Sequence, residues 1–130
     1  MPHILALVDD LLFLSRVREA ARATGGDVRP VRQPAQLVEG VRAGGRLVLV
    51  DADSSRLPWG EALGALREGG LLGSVKAVAF YSHVDVSRAE AARAAGCDPV
   101  LPRSAFLKAL PGLVAENGAA PSPRLEEPTP

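Results

Sequence analysis

The chain has 130 residues, with 15 basic and 15 acidic side chains and a formal net charge of zero. That length suits one domain with a single core, and the even charge balance excludes a broad basic footprint for nucleic acid. Hydrophobic residues make up 47% and charged residues 23%, as in an ordinary soluble globular protein, and no apolar run approaches the roughly 18 residues that cross a bilayer.

Cys97 is the only cysteine, so neither an internal disulfide nor a two-thiol metal site can form, and a reducing cytoplasm is the expected location. The opening Met1-Pro2-His3 lacks the basic region and cleavage site of a signal peptide. Ile4–Val8 reads as a short buried strand that runs into Asp9 and Asp10. A helix follows from about Leu11 to Thr24, its apolar positions Leu14, Val17, Ala20 and Ala21 at helical spacing, and Gly25-Gly26 stops it. Asp27–Val31 is a second strand interrupted by Pro30, which places it near a sheet edge. Pro34 opens a second helix, carrying Leu37, Val38 and Val41, which Gly44-Gly45 ends.

Leu47–Val50 is the clearest strand of the sequence and ends in Asp51. After the polar stretch Ala52–Arg56 and Pro58, a third helix is expected from Trp59 to Arg67. Lys76–Tyr81 is the fourth strand, followed by Ser82-His83. Ser87 with Glu90 three residues on has capping-box form and is expected to begin a fourth helix that Gly96 closes. Pro99–Leu101 is the fifth strand, and Ser104 is expected to cap a final helix that Pro111 kinks or divides. From Glu116 to Pro130 little can be buried, so the reading is one domain over residues 1–115 and a disordered tail over 116–130.

Five strands alternating with helices predict a three-layer α/β domain, a parallel sheet between helices joined by right-handed crossovers. The pattern does not dictate strand order, but the flavodoxin-like order 2-1-3-4-5 suits an edge-like second strand bearing Pro30. Parallel strands deliver their C-terminal ends to one edge, where such sheets bind ligands. That edge would receive Asp9 and Asp10 from strand one, Asp51 from strand three, Ser82 from strand four and Arg103 after strand five. Three converging carboxylates repel one another unless a hard cation or a proton lies between them.

With these residues in these places, Ile4 to Val114 resembles the receiver domain of two-component response regulators. The resemblance implies that Asp9 and Asp10 bind Mg²⁺ together with Asp51, that Asp51 is the phosphoacceptor, and that Ser82 hydrogen-bonds the phosphoryl group. The run from Gly96 to Arg103 is similar to the family segment that ends in a lysine, which gives Arg103 the place of the phosphoryl-sensing cation. Phosphoryl transfer to a carboxylate is the chemistry such a cluster suits: a cation neutralises charge on the equatorial oxygens while Asp51 attacks.

The fifth strand departs from the family pattern. Arg103 stands for lysine, Ser104 for the proline after it, and Val100 for an aromatic residue, while His83 replaces a small neighbour of Ser82. Guanidinium and ammonium are not interchangeable at a tight site. These changes point toward an atypical or pseudo-receiver, so two versions of a stand-alone signalling domain stay open. In one, Asp51 accepts phosphate from a histidine kinase or small donor. In the other, the domain is a phosphorylation-independent protein-binding module. In either, the partner is a protein meeting the fourth helix, fifth strand and fifth helix, about Ser87 to Val114, with no nucleic acid or membrane involved. Enzymatic activity beyond self-phosphorylation and autodephosphorylation is not expected.

Bland roles compete at each residue. Asp9 or Asp10 can cap the helix that follows, Asp53 can turn its loop, and Arg103 can pair with Asp98 or point into the acidic edge. Cys97 reads as a small buried hydrophobe. Asp51-Ala52-Asp53 is also similar to the nucleophile motif of haloacid-dehalogenase-type phosphatases, but it lies on the third strand and the chain is too short for a cap insertion.

Overall fold

A computed structural model describes residues 3–82 and 86–118. The strands are β1 (Ile4–Leu7), β2 (Val28–Pro30), β3 (Leu47–Asp51), β4 (Lys76–Tyr81) and β5 (Val100–Pro102). Between and after them run α1 (Leu11–Arg22), α2 (Pro34–Arg42), α3 (Trp59–Glu68), α4 (Val86–Ala94) and α5 (Arg103–Leu113). The strands form one parallel sheet in the order β2-β1-β3-β4-β5, as expected for a flavodoxin-like chain.

Successive side chains on a strand face opposite ways, so each central strand feeds two cores. Leu5, Leu7, Val48, Val50, Ala77 and Ala79 face α2, α3 and α4, where Leu37, Leu63, Leu66 and Ala92 meet them. Ile4, Ala6, Leu47, Leu49, Val78 and Phe80 face α1 and α5, meeting Phe13, Val17, Phe106 and Leu110. A sheet buried on both faces needs apolar residues at every position, which is why β1 and β3 read as unbroken hydrophobic runs.

Two backbone details fix the approach of the helices. Gly26 N–H reaches back to Ala21 O at 2.9 Å through Gly25, whose φ of +78° closes α1. In α2, a Cβ on Gly40 would lie 2.6 Å from Leu5 Cδ2, so glycine lets that helix settle directly on β1. β2 does lie at the sheet edge. Val31 N–H donates to Ala6 O at 3.0 Å, so Pro30, one residue earlier, turns its missing donor outward, where no strand needs it.

The helix ends differ from expectation in three places. α4 includes Val86, which puts Ser87 inside the first turn rather than at the cap. Arg103 is the first residue of α5 and Pro102 its N-cap, so Ser104 is also inside the helix and caps nothing. α5 runs through Pro111 without dividing, and a π-helical turn over Val114–Gly118 follows. Pro111 deprives Leu107 O of its helical donor, yet Leu110 and Val114 on either side are buried at 3% and 0% and anchor the segment. Glu116 and Asn117 thus belong to a helical turn, while residues 119–130 lie outside the described residues. Among the described residues no helix is long and apolar enough to cross a membrane.

Candidate functional site: an acidic cleft bridged by arginine

Register brings the site together. Leu7 pairs with Val50, Asp51 with Phe80, and Phe80 with Leu101, so β1, β3, β4 and β5 end at one edge. There a cleft of about 340 Å³ is lined by Asp9, Asp10 and Asp51, by the loop residues Asp53, Ser54, Ser55 and Arg56, and by Arg103. Four of the five site residues read from the sequence meet in it. Ser82 stands beside it, bound to Asp53.

Asp10 performs two tasks. Its Oδ1 accepts from the N–H groups of Leu12 at 3.0 Å and Phe13 at 3.2 Å, capping α1. Its Oδ2 lies 3.5 Å from Arg103 Nη1. The capping reading and the pocket reading therefore both hold for this one side chain. Asp9 turns the other way. Arg32 Nη1 lies 3.3 Å from its Oδ1 and Arg56 Nη1 lies 3.6 Å from its Oδ2.

Asp51 is 6% exposed, and its Oδ1 accepts the Asp53 N–H at 3.0 Å. Arg103 Nη2 lies 4.0 Å from its Oδ2. Arg103 thus spans Asp10 and Asp51, and neither of its pairs involves Asp98. Its guanidinium carbon also sits 4.6 Å from the Phe13 ring centroid and 5.3 Å from that of Phe80. A cation at the first residue of a helix opposes the helix dipole. Two carboxylates and two aromatic faces offset that penalty and hold the side chain over the cleft.

Burial raises the Asp51 pKa above its ordinary 3.8, more than the Asp53 N–H and the Arg103 charge lower it, and Asp53 and Asp10 add repulsion. An acid whose folded pKa is raised holds its proton more tightly in the folded state, so stability falls as pH rises from about 3.8 through the folded value. Asp51→Asn removes the cost of ionising this buried group. It should raise Tm at neutral pH, and the gain should shrink as pH falls toward the ordinary carboxylate range. Thermal melts across that range check it, and a gain independent of pH would contradict it. Cys97, 2% exposed, has its thiol pushed up to about 12 by burial, so it packs as a hydrophobe and is no nucleophile near neutrality.

No family model matches the chain, and no curated protein does. Solved structures do. A response regulator from Hahella chejuensis matches with a TM-score of 0.71 at 19% identity, over 87% of this chain and 92% of that one. A two-component response regulator from Legionella pneumophila matches with a TM-score of 0.70 at 13% identity, over 89% and 99%. The chain has the receiver-domain fold. The likeness at such identities is one of fold, so the roles of the cleft residues rest on their own geometry.

A third receiver-fold structure, the Mn²⁺-bound form of the response regulator Rcp1, matches with a TM-score of 0.65 at 14% identity, over 86% of this chain and 91% of that one. Here Asp9, Asp10 and Asp51 do not offer a cation a shared set of free oxygens. Asp9 faces two arginines, Asp10 is divided between a helix end and Arg103, and burial favours the protonated form of Asp51. Among the described residues no three His, Cys, Asp or Glu side chains are grouped to hold a metal ion. As arranged, the donor set does not fit Mg²⁺.

Three participants were absent from the candidate residues read in the sequence. Arg32 directly follows the edge strand β2 and Arg56 ends the loop after β3, so both reach Asp9 from neighbouring strand ends. Once the strand order was set, an arginine just past a neighbouring strand was the available signal. Asp53, expected to cap or turn its loop and weighed as part of a phosphatase-like motif, binds Ser82 through both its N–H, at 2.6 Å, and its hydroxyl, at 2.5 Å. Nothing in the local sequence signals that contact, because it joins positions 29 residues apart. His83, which stands where the family has a small neighbour of Ser82, lies outside the described residues.

Proposed function

We propose that this chain is a receiver-like signalling module that works by protein contact and does not depend on phosphorylation of Asp51. The observation that carries this reading is Arg103, placed between Asp10 and Asp51 where a divalent cation would have to enter. A guanidinium there neutralises the acids and opposes a second cation by direct repulsion. Arg32 and Arg56 on Asp9 act in the same sense.

The partner is a protein that meets α4, β5 and α5, roughly residues 87–114, and a cytoplasmic setting suits the lone thiol of Cys97. The phosphorelay version keeps one supporting observation: the carboxylate of Asp51 lines an open cleft with Arg103 beside it. In that version a histidine kinase or small donor would supply the phosphoryl group, Asp9 and Asp10 would have to give up their present partners to hold Mg²⁺, and Ser82 and Arg103 would read the product. For an aspartate-nucleophile phosphatase, Asp53 would have to act as general acid toward the leaving group. Its carboxylate accepts two hydrogen bonds from Ser82 instead, so we do not favour that reading.

Intact-protein mass after incubation with Mg²⁺ and acetyl phosphate tests the proposal. We expect no phosphoryl adduct on the parent chain and none on Asp51→Asn. An adduct on the parent that Asp51→Asn abolishes would overturn it in favour of the phosphorelay version.

A further inference from the structure

The loop after β3 and the end of β4 are joined by a short chain of polar contacts. Asp51 Oδ1 accepts the N–H of Asp53, and Asp53 Oδ2 accepts both the N–H and the Oγ–H of Ser82. One residue earlier in the loop, Ala52 O accepts from Arg88 Nη1 at 3.0 Å, and Arg88 belongs to the first turn of α4. Both connections run from consecutive residues of one loop to the two sides of the β4–α4 junction.

A carboxylate oxygen that takes two donors from one residue fixes that residue's backbone and its side-chain rotamer together. The orientation has a cost, since Asp53 Oδ1 is buried without a hydrogen-bond partner. A loop aspartate that only shaped its own turn would bond locally and leave its other oxygen to water. Asp53 instead spends its accepting capacity across 29 residues.

We propose that Asp53 is a built-in ligand for Ser82: a positioning residue whose carboxylate, with Arg88, pins the β4–α4 junction to the β3 loop and presents α4 to its partner in one fixed arrangement. The inference deepens the proposed function and rests on it only where it makes α4 part of the partner surface. Its physical content is a clamp between two loops. A Ser82 held by the chain's own carboxylate has its N–H and hydroxyl already engaged, so a group arriving at Asp51 must compete with Asp53 to recruit it.

Backbone amide hydrogen exchange of the full chain, in the parent and in Asp53→Ala, Asp53→Asn and Ser82→Ala, tests the clamp. Loss of two charge-assisted bonds in Asp53→Ala should speed exchange at Ser82 and in the α4 helix by roughly tenfold or more. Leu5 and Val17, buried in β1 and α1, should exchange as in the parent. Asp53→Asn keeps an oxygen acceptor without the charge and should fall between parent and alanine. Ser82→Ala should loosen α4 less than Asp53→Ala does, because the backbone N–H still reaches the carboxylate. Unchanged exchange at Ser82 and α4 in Asp53→Ala would overturn the clamp, as would faster exchange spread evenly through β1 and α1 in both Asp53 variants. The readout needs neither a phosphoryl donor nor a partner, so its failure is distinct from that of the proposed function. A phosphoryl adduct on Asp51 would equally leave the clamp standing.

Discussion

Arg103→Ala should destabilise the domain by about 1–2 kcal/mol at neutral pH and make its melting temperature rise with added Mg²⁺, which the parent should not do. The loss has two parts. The guanidinium leaves the faces of Phe13 and Phe80, and Asp10 and Asp51 lose the charge between them. The cost stays modest because the Asp10 side chain is 45% exposed, so water screens much of the pairing that is lost. The gain of a Mg²⁺ response is the more diagnostic half. With the arginine gone, oxygens of Asp10 and Asp51 face an unneutralised cleft, and a ligand that binds only the folded state stabilises it. Melting curves of parent and variant, with and without millimolar Mg²⁺, decide the matter. An equal Mg²⁺ response in both would show that Arg103 does not hold the cation's place. Arg103→Lys keeps a cation but carries it on a single nitrogen, so it should restore only part of the loss, since one ammonium cannot reach Asp10, Asp51 and both rings together.

Phe80→Ala should cost about 3–5 kcal/mol, a large fraction of the roughly 5–15 kcal/mol that holds a domain of this kind folded. Phe80 is fully buried and lies at the centre of an aromatic trio, with ring centroids 4.3 Å from Phe13 and 4.7 Å from Phe106. It joins β4, α1 and α5, and its ring is also part of the shelf under Arg103. A cavity there removes dispersion contacts on three sides, and the two remaining rings cannot close it without moving two helices. Urea unfolding would measure the loss as a lower midpoint at unchanged slope. Phe80→Leu keeps most of the volume and should cost about 1–2 kcal/mol. A double-mutant cycle with Arg103→Ala should show coupling, since both substitutions remove the same cation–ring contact. Strict additivity would mean that the shelf does not hold the guanidinium.

Much of the fold was legible because its signals are local and redundant. A strand buried on both faces must be apolar throughout, so Ile4–Val8 and Leu47–Val50 could be read directly, and Pro30 marked the edge strand because a missing donor is tolerated only there. Helix ends were less legible. Ser87 and Ser104 have the chemistry of caps, yet α4 and α5 begin one residue ahead of each. Pro111 carries the mark of a helix break, but burial of Leu110 and Val114 overrides it. These outcomes depend on where a helix is anchored on the sheet, and a local pattern does not contain that.

The sequence by itself determined the doubly wound sheet and the edge at which Asp9, Asp10, Asp51 and Arg103 gather, since strand pattern and crossover handedness leave little freedom in which strand ends point together. Only the tertiary structure decided how those charges pair. Arg103 over the Phe13 and Phe80 rings, Arg32 and Arg56 on Asp9, and Asp53 rather than Asp51 as the partner of Ser82 are choices among side chains distant in sequence. Such pairings are set by angstrom-scale distances and by which group loses its water, and neither is written in the spacing of residues along the chain.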